Sequence, residues 1–135
     1  EATTGLDPVV RDEILDLFLE FIQDEDHAVF FSSHITSDIQ KIADHVVLIH
    51  QGRIVFEELK DDLIWRYGIA KCGRQTARAM QPEDYLIHRT TNVCEEFLVR
   101  DREAVRRKYK DMIVDSAGLE DIMLFYIKGG AVCGD

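Results

Sequence analysis

The sequence predicts an α/β fold, a layered domain with an incomplete sheet, followed by a small α+β appendage. Three observations carry that prediction. Apolar segments with helical and strand-like spacing alternate over residues 1–68 as helix, strand, helix, strand, strand, helix. One segment, Ala28-Val29-Phe30-Phe31, is a continuous apolar run, which suits a strand covered on both faces of a parallel sheet. Around Gly68 the character changes, and shorter, mixed elements fill residues 69–135.

Taken in order, Asp7 can cap a helix, and Pro8 suits its first turn, where a missing N–H costs nothing. Val10, Ile14, Leu17, Phe18, Phe21 and Ile22 follow at helical spacing and predict one broad buried face. Gln23 to His27 is a polar break before the Ala28 to Phe31 strand, which Ser32-Ser33-His34 ends. Thr36 or Ser37 then caps a short helix through Ala43, with Ile39 and Ile42 inward. Val46 to Ile49 reads as a second buried strand, Gln51-Gly52 as a tight turn, and Arg53 to Phe56 as the returning strand of a hairpin. Glu58 to Tyr67 is predicted helical, with Leu59, Leu63, Ile64 and Tyr67 inward and Gly68 ending it. Residues 69–81 are short and mixed and carry no assigned element. Beyond Pro82, Glu95 to Val99 reads as a strand, Arg102 to Tyr109 as a helix and Met112 to Val114 as a short strand. Leu119 to Ile127 reads as a helix with Ile122, Met123, Phe125 and Tyr126 apolar, stopped by Gly129-Gly130.

The 135 residues carry a formal charge of −10. It is unevenly placed: residues 1–68 hold 15 acidic and 5 basic side chains, whereas residues 69–135 hold 11 of each. An acidic half argues against a general nucleic-acid surface, which needs clustered Lys and Arg. The basic cluster Arg100, Arg102, Arg106, Arg107, Lys108 and Lys110 is interleaved with Asp101 and Glu103 and reads as a solvated helix face. Apolar runs such as Val46 to Ile49 are too short to span a bilayer. Cys72, Cys94 and Cys133 are far apart and odd in number, which suits the reduced thiols of a cytoplasmic protein. His45 and His50, five apart on a strand-like run, point to opposite faces, and the histidines show no spacing that suits a metal ion.

The most specific string opens the chain. Glu1-Ala2-Thr3-Thr4 runs into a tight Gly5-Leu6-Asp7-Pro8 turn. His34 follows the apolar run in Ser32-Ser33-His34-Ile35, 27 residues beyond Asp7. Asp38, Ile42 and Ala43-Asp44 come next, then Val46 to Ile49 and Gln51-Gly52-Arg53-Ile54-Val55. In this order and separation the residues resemble the ATP-binding cassette (ABC) ATPases. In that family a buried strand ends in Asp-Glu and runs into an (S/T)-G-L-D-P loop. A histidine, a short helix, Ala-Asp, an apolar strand and a turn with Gly-Arg follow. The resemblance is specific over residues 1–66. Ala2 departs from the more usual proline and alters loop rigidity modestly. Residues 69–135 resemble more loosely the C-terminal extension of bacterial ABC ATPases that serve ABC-2-type exporters, with Leu119 to Gly129 similar to the end of those proteins. The chain is therefore expected to be a C-terminal fragment of a nucleotide-binding subunit. Residues 1–68 would end its P-loop nucleotide-binding domain, and residues 69–135 would form an extension.

The resemblance implies catalytic roles for Glu1 and His34. Glu1 matches the glutamate that follows the magnesium-binding aspartate and polarises the attacking water. His34 matches the switch histidine that hydrogen-bonds the γ-phosphate. Phosphoryl transfer needs a placed water, in-line geometry and stabilised charge, which a carboxylate at the carboxyl edge of an open sheet is positioned to serve. Gly5, Leu6 and Asp7 match the D-loop, where glycine permits the turn and the aspartate contacts a second nucleotide-binding subunit across ATP. The resemblance also implies ATP and Mg2+ in the intact protein, a transmembrane permease as partner, no nucleic-acid partner, and a cytoplasmic place at the inner face of the cell membrane. The 135 residues contain no G-x-x-x-x-G-K-[ST] loop, magnesium aspartate, glutamine loop or LSGGQ-type signature. Without backbone amides and a lysine on the phosphates, the chain by itself is expected neither to bind ATP tightly nor to hydrolyse it.

Two other readings use the same residues. One is a non-transport ABC-type ATPase, although no heptad array is present. The other is a non-enzymatic regulatory or docking module built on residues 69–135. Apart from the family, Glu1 carries no meaning, Gly5 to Pro8 is a capped helix start, and a single histidine after a strand is ordinarily structural or exposed.

Overall fold

Asp7 starts the first helix as its chemistry requires. In the structure, a computed structural model that describes residues 5–129, the Val9 N–H donates to Asp7 Oδ1 at 2.9 Å, and Pro8 occupies the first turn of α1 (Pro8–Phe21). The fold is mixed α/β with small antiparallel sheets, and the chain divides into two compact units, residues 1–44 and 45–135.

The first unit contains α1 and α2 (Thr36–Ile42), which pack together. The broad buried face expected of α1 is narrower in the structure. Leu15 is buried and Ile14, Phe18 and Ile22 are half-buried, but Val10, Leu17 and Phe21 are exposed. An amphipathic face is buried only as far as a packing surface reaches it. Within this unit α1 meets α2 and, through rings 6.5 Å apart, Phe18 meets Phe31. The expected strand over Ala28 to Phe31 is likewise not formed among the described elements, and Phe30 is 97% exposed. A strand needs a neighbour for its N–H and C=O groups, and no described strand lies beside this one. Thr36 and Ser37 fall inside α2 rather than capping it; Ile35 is its N-cap.

In the second unit, β1 (His45–His50) and β2 (Arg53–Leu59) form the predicted hairpin. Gln51 and Gly52 both have positive φ, 50° and 74°, as a two-residue turn of mirror-image hand demands. Val46 and Leu48 point inward between exposed His45, Val47 and Ile49. β2 runs on through Glu58 and Leu59, so the next helix, α3 (Lys60–Arg66), starts two residues later than predicted. Leu59 is consequently exposed, while Leu63 and Tyr67 are buried as expected.

The larger sheet has the order β4-β5-β3-β6 and is antiparallel throughout. Its strands are β3 (Gly68–Cys72), β4 (Ile87–Thr90), β5 (Glu95–Val99) and β6 (Ile113–Ser116). β3 pairs with both β5 and β6, yet it lies where the sequence assigned no element. Gly68 is its first residue and not a helix cap. A Cβ there would lie 2.7 Å from the Asp115 carbonyl oxygen and 2.6 Å from Arg102 Cβ, so close approach of the backbone requires the glycine. Ala70, Cys72, Phe97, Val99 and Val114 form a core with Met80, Val105, Tyr109 and Met112. The register partners Ile69, Leu98 and Ile87 are buried too, as are Leu119, Ile122 and Phe125 of α6 (Leu119–Lys128), which packs on β4. Two short helices, α4 (Arg74–Ala77) and α5 (Arg102–Lys108), complete the unit.

Much of the basic cluster on and around α5 is spent on structure. Arg102 donates to the Ile64 carbonyl at 3.3 Å, and Arg106 donates to Glu103 and to the Val114 carbonyl, both at 2.6 Å. Lys108 pairs with Asp84 at 2.5 Å and Arg100 with Glu58 at 3.3 Å. No described helix is long and apolar enough to cross a membrane.

Candidate functional site

The two motif loops each lead into a helix of the first unit. Gly5 has φ of 78°, in the left-handed region that favours glycine, although a Cβ there would meet nothing within 4 Å. Dihedral preference and not crowding therefore selects it. Leu6 is half-buried and Asp7 is exposed, with one carboxylate oxygen engaged on the Val9 N–H. His34 is also exposed and sits at a bend just ahead of α2. The Ile35 N–H donates to Ser33 Oγ at 3.0 Å, a small turn that spans His34 and holds its backbone. Glu1 lies outside the described residues.

The helices bring the two loops to one end. Arg11 of α1 meets Asp38 of α2 (Nε to Oδ1, 3.3 Å), while Asp12 and Asp16 meet Lys41 at 2.6 and 2.7 Å. Arg11 lies in the first turn of α1 and Asp38 in the first turn of α2, so their pair joins the two helix starts that follow the motif loops. These bonds are unequal. Lys41 is bound to two exposed carboxylates, which hold its ammonium above the usual lysine range but contribute little to stability in water. Asp38 is 2% exposed. Arg11 is 29% exposed, so the pair joins a partly solvated guanidinium to a carboxylate shielded from water. The sequence placed Asp38 in the motif pattern without a role and passed over Arg11. The available signals were their spacing, each four residues after a motif residue, and the apolar neighbours Ile35, Ile39 and Ile42 around Asp38.

A second buried carboxylate lies in the second unit. Glu95 Oε2 accepts from Thr90 Oγ1 at 2.7 Å and is 2.7 Å from His88 Nε2; Oε1 lies 3.7 Å from Arg74 Nε. The Thr90 hydroxyl and then His88 hold the Glu95 carboxyl below its ordinary 4.5. Because Thr90 and Glu95 are register partners, the cluster braces the β4-β5 edge. It borders an open hollow of about 340 Å³ floored by Met80, Tyr85 and Phe97. Among the described residues, no group of three or more His, Cys, Asp or Glu side chains is placed to hold a metal ion.

No family model matches the chain. Curated relatives do match part of it. The bacitracin transport ATP-binding protein BcrA of Bacillus licheniformis is 39% identical over 57 residues, 42% of this chain and 19% of that relative. The ABC transporter ATP-binding protein NatA of Bacillus subtilis (strain 168) is 33% identical over 63 residues, 47% of this chain and 25% of that protein. The methionine import ATP-binding protein MetN 2 of Lactiplantibacillus plantarum is 44% identical over 55 residues, 41% of this chain and 16% of its own length. The chain thus spans between a sixth and a quarter of the curated relatives it matches, and over that part it is similar to ABC transporter ATP-binding proteins.

Proposed function

We propose, from that similarity, that the chain is the C-terminal part of the ATP-hydrolysing subunit of an ABC transporter. Residues 1–68 end its nucleotide-binding domain and residues 69–135 form an extension. In the intact protein Glu1 polarises the water that attacks the γ-phosphate, and His34 hydrogen-bonds that phosphate. Gly5, Leu6 and Asp7 form the turn that meets a second nucleotide-binding subunit, and ATP-driven closure of the pair works a transmembrane permease at the inner face of the membrane. The observation that carries this reading is the 39% identity over 57 residues to a transport ATP-binding protein. Two features support it: the positive φ of Gly5 ahead of the Asp7 cap, and the common end shared by the His34 and Asp7 loops. The exposed Phe30, Leu17 and Phe21 support a first unit that is covered by more of a larger domain. Export, as opposed to import, rests on the looser resemblance of residues 69–135.

Two measurements test the proposal. In the full-length gene product, Glu1→Gln abolishes ATP turnover while ATP-dependent dimerisation persists; wild-type turnover in that variant removes Glu1 from the mechanism. The 135 residues by themselves bind no ATP at micromolar concentration in calorimetry, because they lack a phosphate-cradling loop. A micromolar dissociation constant contradicts that part of the reading.

A further inference from the structure

We infer that Arg11 and Asp38 are positioning residues: their ion pair fixes the His34 loop against the Gly5 to Asp7 turn, so that a shift at either loop is felt at the other. The inference rests on the reading that these two loops act on ATP. Its physical basis is a continuous path. The Arg11 N–H donates to the Asp7 carbonyl at 2.9 Å, so the guanidinium rides on the turn that follows the Gly5-Leu6-Asp7 segment. Across the helix pair, Arg11 Nε lies 3.3 Å from Asp38 Oδ1. The Asp38 N–H donates to the Ile35 carbonyl at 3.2 Å, and the Ile35 N–H donates to Ser33 Oγ across His34 at 3.0 Å.

Burial gives that path its stiffness. Asp38 is the buried acidic side chain of the first unit among the described residues. Asp38 is 2% exposed, so water does not readily replace the arginine beside it. The neighbouring Lys41 bonds to Asp12 and Asp16 are exposed and can exchange between carboxylates as the helices move. Alignment of the two loops therefore passes through Arg11 and Asp38. Neither residue touches the nucleotide in this proposal; each acts through the backbone of its own loop.

The test uses the full-length gene product carrying Arg11→Gln with Asp38→Asn. This double variant keeps shape and hydrogen-bonding groups and removes both charges of the pair together. With the protein folded at the assay temperature by circular dichroism, kcat for ATP is expected to fall about ten- to a hundredfold, as for small misplacements of reacting groups. KM for ATP is expected to stay within about twofold, since neither Arg11 nor Asp38 touches the nucleotide. A merely stabilising pair leaves both constants of the folded variant at wild-type values, and that result overturns the proposal. In denaturant unfolding, the two single variants and the double are expected to show coupling of about tenfold in the unfolding constant; additive effects overturn the pair itself. Wild-type turnover in His34→Ala and Glu1→Gln overturns the functional reading beneath it, and that failure is distinguishable because the unfolding cycle is unaffected.

Discussion

Two buried carboxylates show how context assigns work to the same chemical group. Asp38 faces an arginine on a neighbouring helix, whereas Glu95 faces a threonine and a histidine on the next strand. The second arrangement makes a prediction about pH. Since the Glu95 carboxyl titrates below its ordinary 4.5 when folded, the unfolded chain binds that proton more readily. Its stabilisation is therefore fully present above 4.5 and is lost as pH falls through the lower folded value. Wild type should melt above Glu95→Gln at about pH 5, and the gap should narrow by about pH 3. A gap that is constant across that range removes the carboxylate from the account.

At the level of elements, the differences between expectation and structure have one cause: partners that a sequence pattern does not name. Residues 69–72 gave no strand signal because Ile69-Ala70-Lys71-Cys72 is short and only Ile69 is a strong strand former. Pairing on both edges, to β5 and β6, makes them the inner strand β3 nonetheless. Ala28 to Phe31 is the reverse case, with strong strand residues and no described neighbour. Gly68 was read as a helix stop because glycine commonly ends helices, but its role is to let β3 approach the Asp115 carbonyl. Gly68→Ala should destabilise the second unit by about 1–3 kcal/mol, the usual cost of overpacking. Denaturant melts would measure it, and an unchanged midpoint would show that Arg102 and Asp115 give way without strain.

At the scale of the whole molecule, the apolar core is unequally shared. Leu15 and Ile42 are the buried apolar side chains of the first unit among the described residues, whereas the second unit buries Leu63, Tyr67, Ile87, Leu98, Ile122, Phe125 and more. A segment of that size with two buried apolar residues cannot offset its own chain entropy. Residues 45–135 expressed alone should unfold in a single cooperative transition, and residues 1–44 alone should show none. Cooperative melting of the short piece would require contacts beyond those described. This asymmetry also means that the residues with the clearest motif, Gly5 to Asp7 and His34, stand on the less self-sufficient unit.

The sequence by itself determined the resemblance, because the motif is a matter of residue identity and spacing. It also determined the elements whose signal is local: the Asp7-Pro8 helix start, the Gln51-Gly52 hairpin, and the β5, α5 and α6 segments. Only tertiary structure decided that β3 exists, that Gly68 is steric and that Arg11 finds Asp38. Each of those depends on groups 23 to 48 residues apart in the chain meeting in space, and local propensity carries no information about which distant atom arrives.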